Sequence, residues 1–271
     1  VFAIIWTLPA YSKSPDILGN AGLVMEMTTG TILFDKNSQL QYFSAYPLKM
    51  GIALALIHAT SQADAANAAA QGLKNHLMTE FSDKQGIGVS DILNVLFSSP
   101  GEPGLSVSEA LLQLNNDFIS LINQSFIDAG VSTRVRSIND LVHGRLSTSL
   151  KDVVMTAAHI LTEVSQEQLE PGEEQDPKTV FVLGDSALRT LNAVSRVAAD
   201  WAISIDEHFI ARAQSNGLQL IAAVYNSENP FEDVAQLLEY AASEYRVVRL
   251  AEKQCVLEEI KLPFTSESVG L

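Results

Sequence analysis

The chain has 271 residues, 47% of them hydrophobic and 18% charged, which is enough for a large core in one domain or in two closely packed lobes. The net charge of −15, from 17 basic and 32 acidic residues, repels phosphate backbones and anionic lipid heads, and no local basic patch is evident in the sequence. We therefore expect no binding to nucleic acid or to a membrane surface. The single cysteine, Cys255, cannot form an internal disulfide and is expected to be an inert core residue.

An apolar run opens the chain. Residues 1–8 read VFAIIWTL and are followed by Pro9 and Ala10, which resembles the apolar region and small-residue tail of a secretory signal without its basic start. We predict that residues 1–15 are the remainder of a signal peptide and that the protein is exported. A buried strand or helix at the start of the domain is the alternative. No later apolar stretch approaches the roughly 18 residues of a membrane span.

The first half of the chain predicts one hairpin and a series of helices. Residues 22–27 and 31–36 flank Thr28-Thr29-Gly30, which is typical of a β-hairpin, and the apolar run 50–58 after Pro47 predicts a central buried helix. Further helices are predicted over residues 64–77, 92–97, 106–129 and 148–164, the last capped by Ser147 or Thr148, with a turn cluster at 98–104. Residues 166–178 are expected to be an acidic surface loop.

The last third returns to strands. Residues 207–214 and 218–225 flank Asn216-Gly217, a strong two-residue hairpin signal, and residues 230–242 predict an amphipathic helix. Residues 245–250 and 256–262 predict a terminal hairpin. Together these elements indicate an α+β fold, in which an antiparallel sheet is flanked by helices and an all-helical lobe is inserted at about residues 60–165.

Three local strings carry a resemblance to a known family. They are residues 25–37 (MEMTTGTILFDKN), 89–93 (VSDIL) and 212–221 (RAQSNGLQLI), and in this order the chain resembles the serine-type D-alanyl-D-alanine carboxypeptidases, the low-molecular-weight penicillin-binding proteins. The resemblance covers roughly residues 21–262 and implies the β-lactamase/transpeptidase-like fold over residues 16–262. It also implies a bacterial periplasmic or cell-envelope location. Residues 263–271 are then a tail or the start of a second, missing domain.

The catalytic motifs of that family are altered here. Its chemistry uses Ser-x-x-Lys, Ser-x-Asn and Lys-Thr-Gly. The first position reads Tyr46-Pro47-Leu48-Lys49, so the lysine is kept and the serine nucleophile is a tyrosine. The second reads Ser99-Pro100-Gly101, in which the asparagine has become glycine. A phenol oxygen lies farther from its Cα than a serine hydroxyl, so a carbonyl placed for serine attack would be out of register.

The third motif falls near Ala198-Ala199-Asp200. The resemblance implies that a lysine here would receive the substrate carboxylate, so Asp200 would repel the same ligand. Ser44 is the nearest other hydroxyl, but it lies five residues before Lys49 and is expected to be solvated or to cap the helix. Lys49 itself either reaches the surface, forms a salt bridge, or lines a vestigial pocket.

These observations favour a non-catalytic, carboxypeptidase-like protein of the cell envelope that binds peptidoglycan or a protein partner. The alternatives are an active but diverged serine carboxypeptidase or acyl hydrolase that uses Ser44 or Ser99 with Lys49, and an unrelated protein with the same layers. The five histidines are scattered without metal-ligand spacing, and no glycine-rich nucleotide-binding string occurs, so no metal or other cofactor is expected.

Overall fold

The structure, a computed structural model, describes residues 2–6, 14–61, 115–137, 140, 145–167, 185–205, 207–249, 259–261 and 268–270. The helices in these ranges are α1 Tyr46–Ser61, α2 Asn115–Asp128, α3 Leu150–Glu167, α4 Asp185–Val194 and α5 Pro230–Glu244. The strands are β1 Phe2–Trp6, β2 Ala21–Glu26, β3 Thr31–Lys36, β4 Tyr42–Ser44, β5 Leu146–Thr148, β6 Ala199–Ile205, β7 His208–Ser215, β8 Leu218–Tyr225, β9 Tyr245–Arg249, β10 Glu259–Lys261 and β11 Ser268–Gly270.

The centre of the fold is a five-stranded antiparallel sheet in the order β3-β2-β8-β7-β6. The predicted β2–β3 and β7–β8 hairpins are confirmed. The β2–β3 turn contains Gly30 at φ +69°, and the β7–β8 turn has Asn216 at φ 52° and Gly217 at φ 80°, the left-handed pair that a two-residue hairpin requires. Because β2 and β8 lie side by side, the first and last thirds of the chain share one sheet.

Helices cover both faces of the sheet. Side chains from α1, α2 and α3 form one core with alternate strand residues such as Leu23 and Met25, while α4 and α5 pack with the intervening residues such as Val24 on the other face. The predicted α+β architecture is therefore confirmed. Helix α1 has no polar face because it lies between the sheet and α2, and a Cβ on Gly51 would come within 2.6 Å of Cζ of Phe126.

The predicted terminal hairpin is wrong. Strand β9 pairs with β1, with Ile4 opposite Val247, and β10 pairs with β11. The prediction joined strands that are neighbours in the sequence, whereas the apolar N-terminal run supplies β9 with a distant partner. Residues 2–6 thus form a strand, the alternative left open for this segment. The proposed export and the domain boundaries stay predictions.

Other differences are local. Helix α3 is capped by Ser149, whose Oγ accepts the N–H of Asp152 at 3.2 Å, and not by Ser147 or Thr148. The hydroxyl of Thr148 is engaged elsewhere, 2.9 Å from that of Thr133. Helix α4 was not predicted. The helices predicted at 64–77 and 92–97 and the turn cluster at 98–104 lie outside the described residues, and α2 is the described part of the helix predicted at 106–129.

Candidate functional site

The first motif lies where β4 ends and α1 begins. Tyr46 is the first residue of α1 and is only 1% exposed, and Pro47 follows in the first turn, where its missing N–H costs nothing. Ser44 ends β4 and is 3% exposed, and its Oγ accepts the backbone N–H of Tyr46 at 3.1 Å. The hydroxyl of Ser44 therefore supports the start of the helix, so that of the two expectations, a solvated or a capping serine, the second is the one observed.

Lys49 is completely buried, with 0% of its surface exposed. The expectation that its ammonium reaches solvent is therefore wrong. Burying a cation is expensive unless neighbouring groups compensate it. Lys49, the fourth residue of the first motif, is thus a core residue of α1.

The space beside Tyr46 is closed by side chains from three elements. Tyr46 and Met50 of α1 meet Trp201 and Ile203 of the edge strand β6, with Ala157, Ile160 and Leu161 of α3. The cavity that remains is about 10 Å³. This is the volume of roughly one water-sized probe, far below the several hundred Å³ of a typical ligand pocket. Among the described residues, the space beside Tyr46 is therefore too small for a peptide carbonyl.

Aromatic rings and a histidine pack behind Tyr46. The Tyr42 hydroxyl lies 2.8 Å from Nε2 of His208, and the Tyr42 ring stacks on Tyr225 with centroids 3.9 Å apart. Burial lowers the pKa of His208 to about 4, and the nearby backbone of Ile205 only partly opposes it. Burial also raises the pKa of Tyr42. Both groups are therefore neutral at pH 7, and their contact is an interior hydrogen bond between uncharged partners.

The third motif lies at the start of edge strand β6. Ala198 is exposed, Ala199 is buried against α4 and α5, and Asp200 lies at an irregularity in the pairing with β7. Nε of Arg212 donates to the Asp200 carboxylate at 2.8 Å. The negative charge that the sequence places here is thus largely compensated by a neighbouring cation, and an isolated anion does not repel ligands from this edge.

Of the three motif positions, the structure describes the first and the third. Tyr46 and Lys49 lie together on α1, Trp201 of β6 packs against Tyr46, and Asp200 pairs with Arg212. Ser99 and Gly101 lie outside the described residues. Trp201 was not predicted as a site residue. Its side chain and that of Ile203 point to one face of β6 and that of Ala202 to the other, which is the period-two pattern of a strand. The sequence analysis also gave no role to Tyr42 or Tyr225, for which no local signal exists.

Metal binding has no support in the part of the chain that the structure describes. His58 and His159 meet edge to face with ring centroids 5.8 Å apart, although the sequence places them far from each other. Across the described ranges, no group of three or more histidine, cysteine or acidic side chains is arranged to hold an ion. Nor does any helix within those ranges have both the length and the apolar character needed to cross a membrane.

Comparisons with known proteins identify the fold. No family model and no curated protein matches the chain. Among solved structures it is similar to a cefotaxime-bound penicillin-binding protein of Listeria monocytogenes (TM-score 0.53, 17% identity, 84% of this chain and 99% of that one). It is also similar to a variant of a Streptomyces DD-transpeptidase (0.51, 17%, 85% and 100%) and to an evolved penicillin-binding protein homologue of Mycobacterium tuberculosis (0.55, 16%, 88% and 96%).

These likenesses define the class of fold. The chain has the fold of the penicillin-binding proteins and DD-transpeptidases, as the sequence resemblance predicted. At 16–18% identity they establish the architecture alone, and the activity of those proteins does not follow from it.

Proposed function

We propose that this chain is a non-catalytic relative of the D-alanyl-D-alanine carboxypeptidases that acts in the cell envelope by binding peptidoglycan or a protein partner. The observation that carries the proposal is the closed packing around Tyr46. Tyr46 is 1% exposed beside a cavity of about 10 Å³, and the described residues around the start of α1 leave no room for a substrate carbonyl.

Acyl transfer by this fold would need an accessible nucleophile beside a base. The attacking oxygen must come within about 3–3.5 Å of the carbonyl carbon in good alignment. Neither Tyr46 nor Lys49 is accessible, and the family's serine is absent from the first motif. The fold of a peptidase is therefore retained around a centre that has become part of the hydrophobic core.

The geometry of Ser44 also argues against the active alternative. Its Oγ lies at the end of β4, is buried, and is engaged by the N–H of Tyr46 at 3.1 Å. An attack by this hydroxyl would require both the loss of that hydrogen bond and the opening of the core around the helix start. Ser99 is the other serine of the active alternative. The penicillin-labelling experiment described next tests both serines.

The decisive experiment exposes the purified full chain to a fluorescent penicillin, followed by a denaturing gel and intact-mass measurement. An active D-alanyl-D-alanine carboxypeptidase serves as positive control, and heat-denatured chain as background. We expect labelling of the chain no stronger than background and no mass increase. A stoichiometric adduct, mapped by peptide mass to Ser44 or Ser99, would establish the active alternative.

The binding part of the proposal needs a separate measurement. Sedimentation with purified peptidoglycan tests the glycan-peptide ligand directly, with an unrelated protein of similar charge as control. Co-sedimentation that saturates with added chain supports peptidoglycan as the ligand. Failure to co-sediment leaves a protein partner as the remaining form of the proposal, to be sought by crosslinking in envelope extracts.

A further inference from the structure

A second pocket is lined by none of the described motif residues. It has a volume of about 260 Å³ and is formed by the short β4–β5 ladder and the loop that follows α2. Its lining is polar and rich in arginine: Gln41, Phe43, Ser132, Thr133, Arg134, Arg136, Asp140, Arg145, Leu146 and Ser147. None of these residues lines the closed cavity around Tyr46.

The pocket concentrates positive charge in an acidic protein. Three of the 17 basic residues, Arg134, Arg136 and Arg145, line it in a chain whose net charge is −15. Within the described residues, no carboxylate pairs with the exposed guanidinium of Arg136 or Arg145. The three arginines lie within the segment 134–145 of the sequence, and folding brings this segment against Gln41 and Phe43 of the distant β4 region.

The acidic residue in the pocket does not cancel this charge. Oδ2 of Asp140 accepts the backbone N–H groups of Arg136 at 2.7 Å and of Ser137 at 3.2 Å. Its carboxylate therefore shapes the loop that presents Arg136. With three guanidinium groups and one carboxylate, the pocket retains an excess of positive charge, and backbone donors already hold that carboxylate.

The loop is fixed before any ligand arrives. The guanidinium of Arg134 donates through Nη1 to the carbonyls of Val131 at 2.5 Å and Thr133 at 2.6 Å. The buried carboxylate of Asp152 accepts the hydroxyls of Ser132 at 2.7 Å and Thr133 at 2.8 Å, and both of their backbone N–H groups. Because the Arg134 guanidinium is already held by these hydrogen bonds, its side chain loses little conformational entropy when it binds an anion.

An aromatic side chain completes the pocket. Phe43 is 70% exposed and lies opposite Ser147 in the β4–β5 ladder. The hydroxyl of Ser147 donates to Oε1 of Gln41 at 3.1 Å. An exposed phenylalanine beside these arginines provides an apolar surface next to anion donors, which fits a ligand with both kinds of group.

We propose that this pocket binds an oxyanion, a carboxylate or a phosphate, carried on an apolar or aromatic group. Guanidinium groups match the planar edge of either oxyanion and bind it with paired hydrogen bonds. The volume of about 260 Å³ accommodates one small anionic head with its neighbouring group. The proposal goes beyond the proposed function and does not depend on it, since none of the described motif residues lines the pocket.

The test is calorimetric titration of the full chain with phenyl phosphate, benzoate, inorganic phosphate and benzyl alcohol. We expect saturable binding of phenyl phosphate or benzoate with a dissociation constant on the order of 1 mM or tighter. Whichever of the two binds more tightly identifies the oxyanion. Inorganic phosphate should bind more weakly, and neutral benzyl alcohol should not bind.

Variants locate the binding. Arg136→Gln with Arg145→Gln should weaken the preferred ligand by on the order of tenfold or more, since each removes a charge-assisted donor. Phe43→Ala should weaken the aromatic ligand and leave inorganic phosphate unchanged. Arg196→Gln, at an exposed arginine outside this pocket, is the matched control and should have no effect.

The result that overturns the proposal is equally specific. Absence of saturable binding by both aromatic oxyanions, or equal affinity of the wild-type chain and the double arginine variant, would refute the site. Equal loss in Arg196→Gln would show that net charge alone governs binding. Circular dichroism of each variant checks that it is folded. Arg145→Lys keeps the charge and loses the guanidinium, so its affinity should lie between those of the wild-type chain and the double arginine variant.

Discussion

The ring of Tyr46 stacks on the imidazole of His208, with ring centroids 5.3 Å apart and an interplanar angle of 29°. This contact joins the first residue of α1 to the first residue of β7. His208 in turn contacts Tyr42, whose hydroxyl lies 2.8 Å from Nε2 of the imidazole. The residue that the sequence resemblance places at the nucleophile position is therefore integrated into the core. Four predictions concern this packing and the carboxylates of Asp233 and Asp200.

Tyr46→Ser is expected to destabilise the protein without creating an acylating enzyme. Loss of a fully buried ring removes about 3–5 kcal/mol from the free energy of unfolding, and a new serine would still face the packed side chains of Trp201 and Met50. Urea denaturation and fluorescent-penicillin labelling check the two parts. Tyr46→Phe keeps the ring and is the matched control, with a much smaller loss. Stoichiometric labelling of Tyr46→Ser would show that the cleft can open.

The stability of the protein is expected to fall between about pH 6.5 and pH 4 because of His208. Its pKa is lowered by burial from 6.5 to about 4 in the folded state, so the unfolded chain binds the proton first as the pH falls. The contribution is fully present above pH 6.5 and is lost progressively toward pH 4, a total of about 3 kcal/mol.

Urea denaturation at pH 7 and pH 4.5 measures this dependence on His208. In His208→Gln the loss of stability on acidification should be smaller. Tyr42→Phe removes the hydrogen bond to the imidazole and keeps the titrating group, so it should lower stability at both pH values and retain the slope. An unchanged pH slope in His208→Gln would contradict the prediction.

Asp233→Asn is expected to lower the free energy of unfolding by about 2–4 kcal/mol. The buried Asp233 carboxylate accepts the backbone N–H groups of Leu18 at 3.0 Å and Gly19 at 2.8 Å and the hydroxyl of Ser227 at 2.6 Å. It thereby ties the segment before β2 to the start of α5. The exposed neighbour variant Glu232→Gln should be nearly neutral in the same denaturation series, and similar losses for both variants would refute this role.

Asp200→Asn is expected to cost less than about 1 kcal/mol, because its ion pair with Arg212 is solvent-accessible. The effect should shrink further at high salt. A double-mutant cycle with Arg212→Gln isolates the pair from the separate effects of each side chain. A coupling energy well above 1 kcal/mol would mean that this edge of β6 is shielded from solvent in solution.

Turn chemistry made the hairpins predictable. Asn216-Gly217 and Thr28-Thr29-Gly30 specify their backbone conformations within a few residues, so the sequence alone indicates where β2, β3, β7 and β8 meet. The long apolar character of α1 likewise indicates a central helix. The pairing of β9 with β1 was not predictable in this way, because it forms a separate two-stranded sheet from segments at opposite ends of the chain.

The candidate site was only partly predictable. The sequence resemblance predicts that Tyr46 stands in place of a serine, but it does not predict that Trp201, about 150 residues later, lies beside it. It also does not show that Arg212 lies next to Asp200, since that contact depends on the antiparallel register of β6 and β7.

The amino-acid sequence by itself determined the architecture and the identity of the motif residues, because periodicity and turn residues act over short distances. Tertiary structure decided three features: the burial of Lys49, the packing of Trp201 beside Tyr46, and the meeting of Phe43 with the arginine-rich segment 134–145 around one pocket. Each results from packing between segments far apart in the chain. Such contacts depend on where the backbone places whole elements, and no local pattern encodes them.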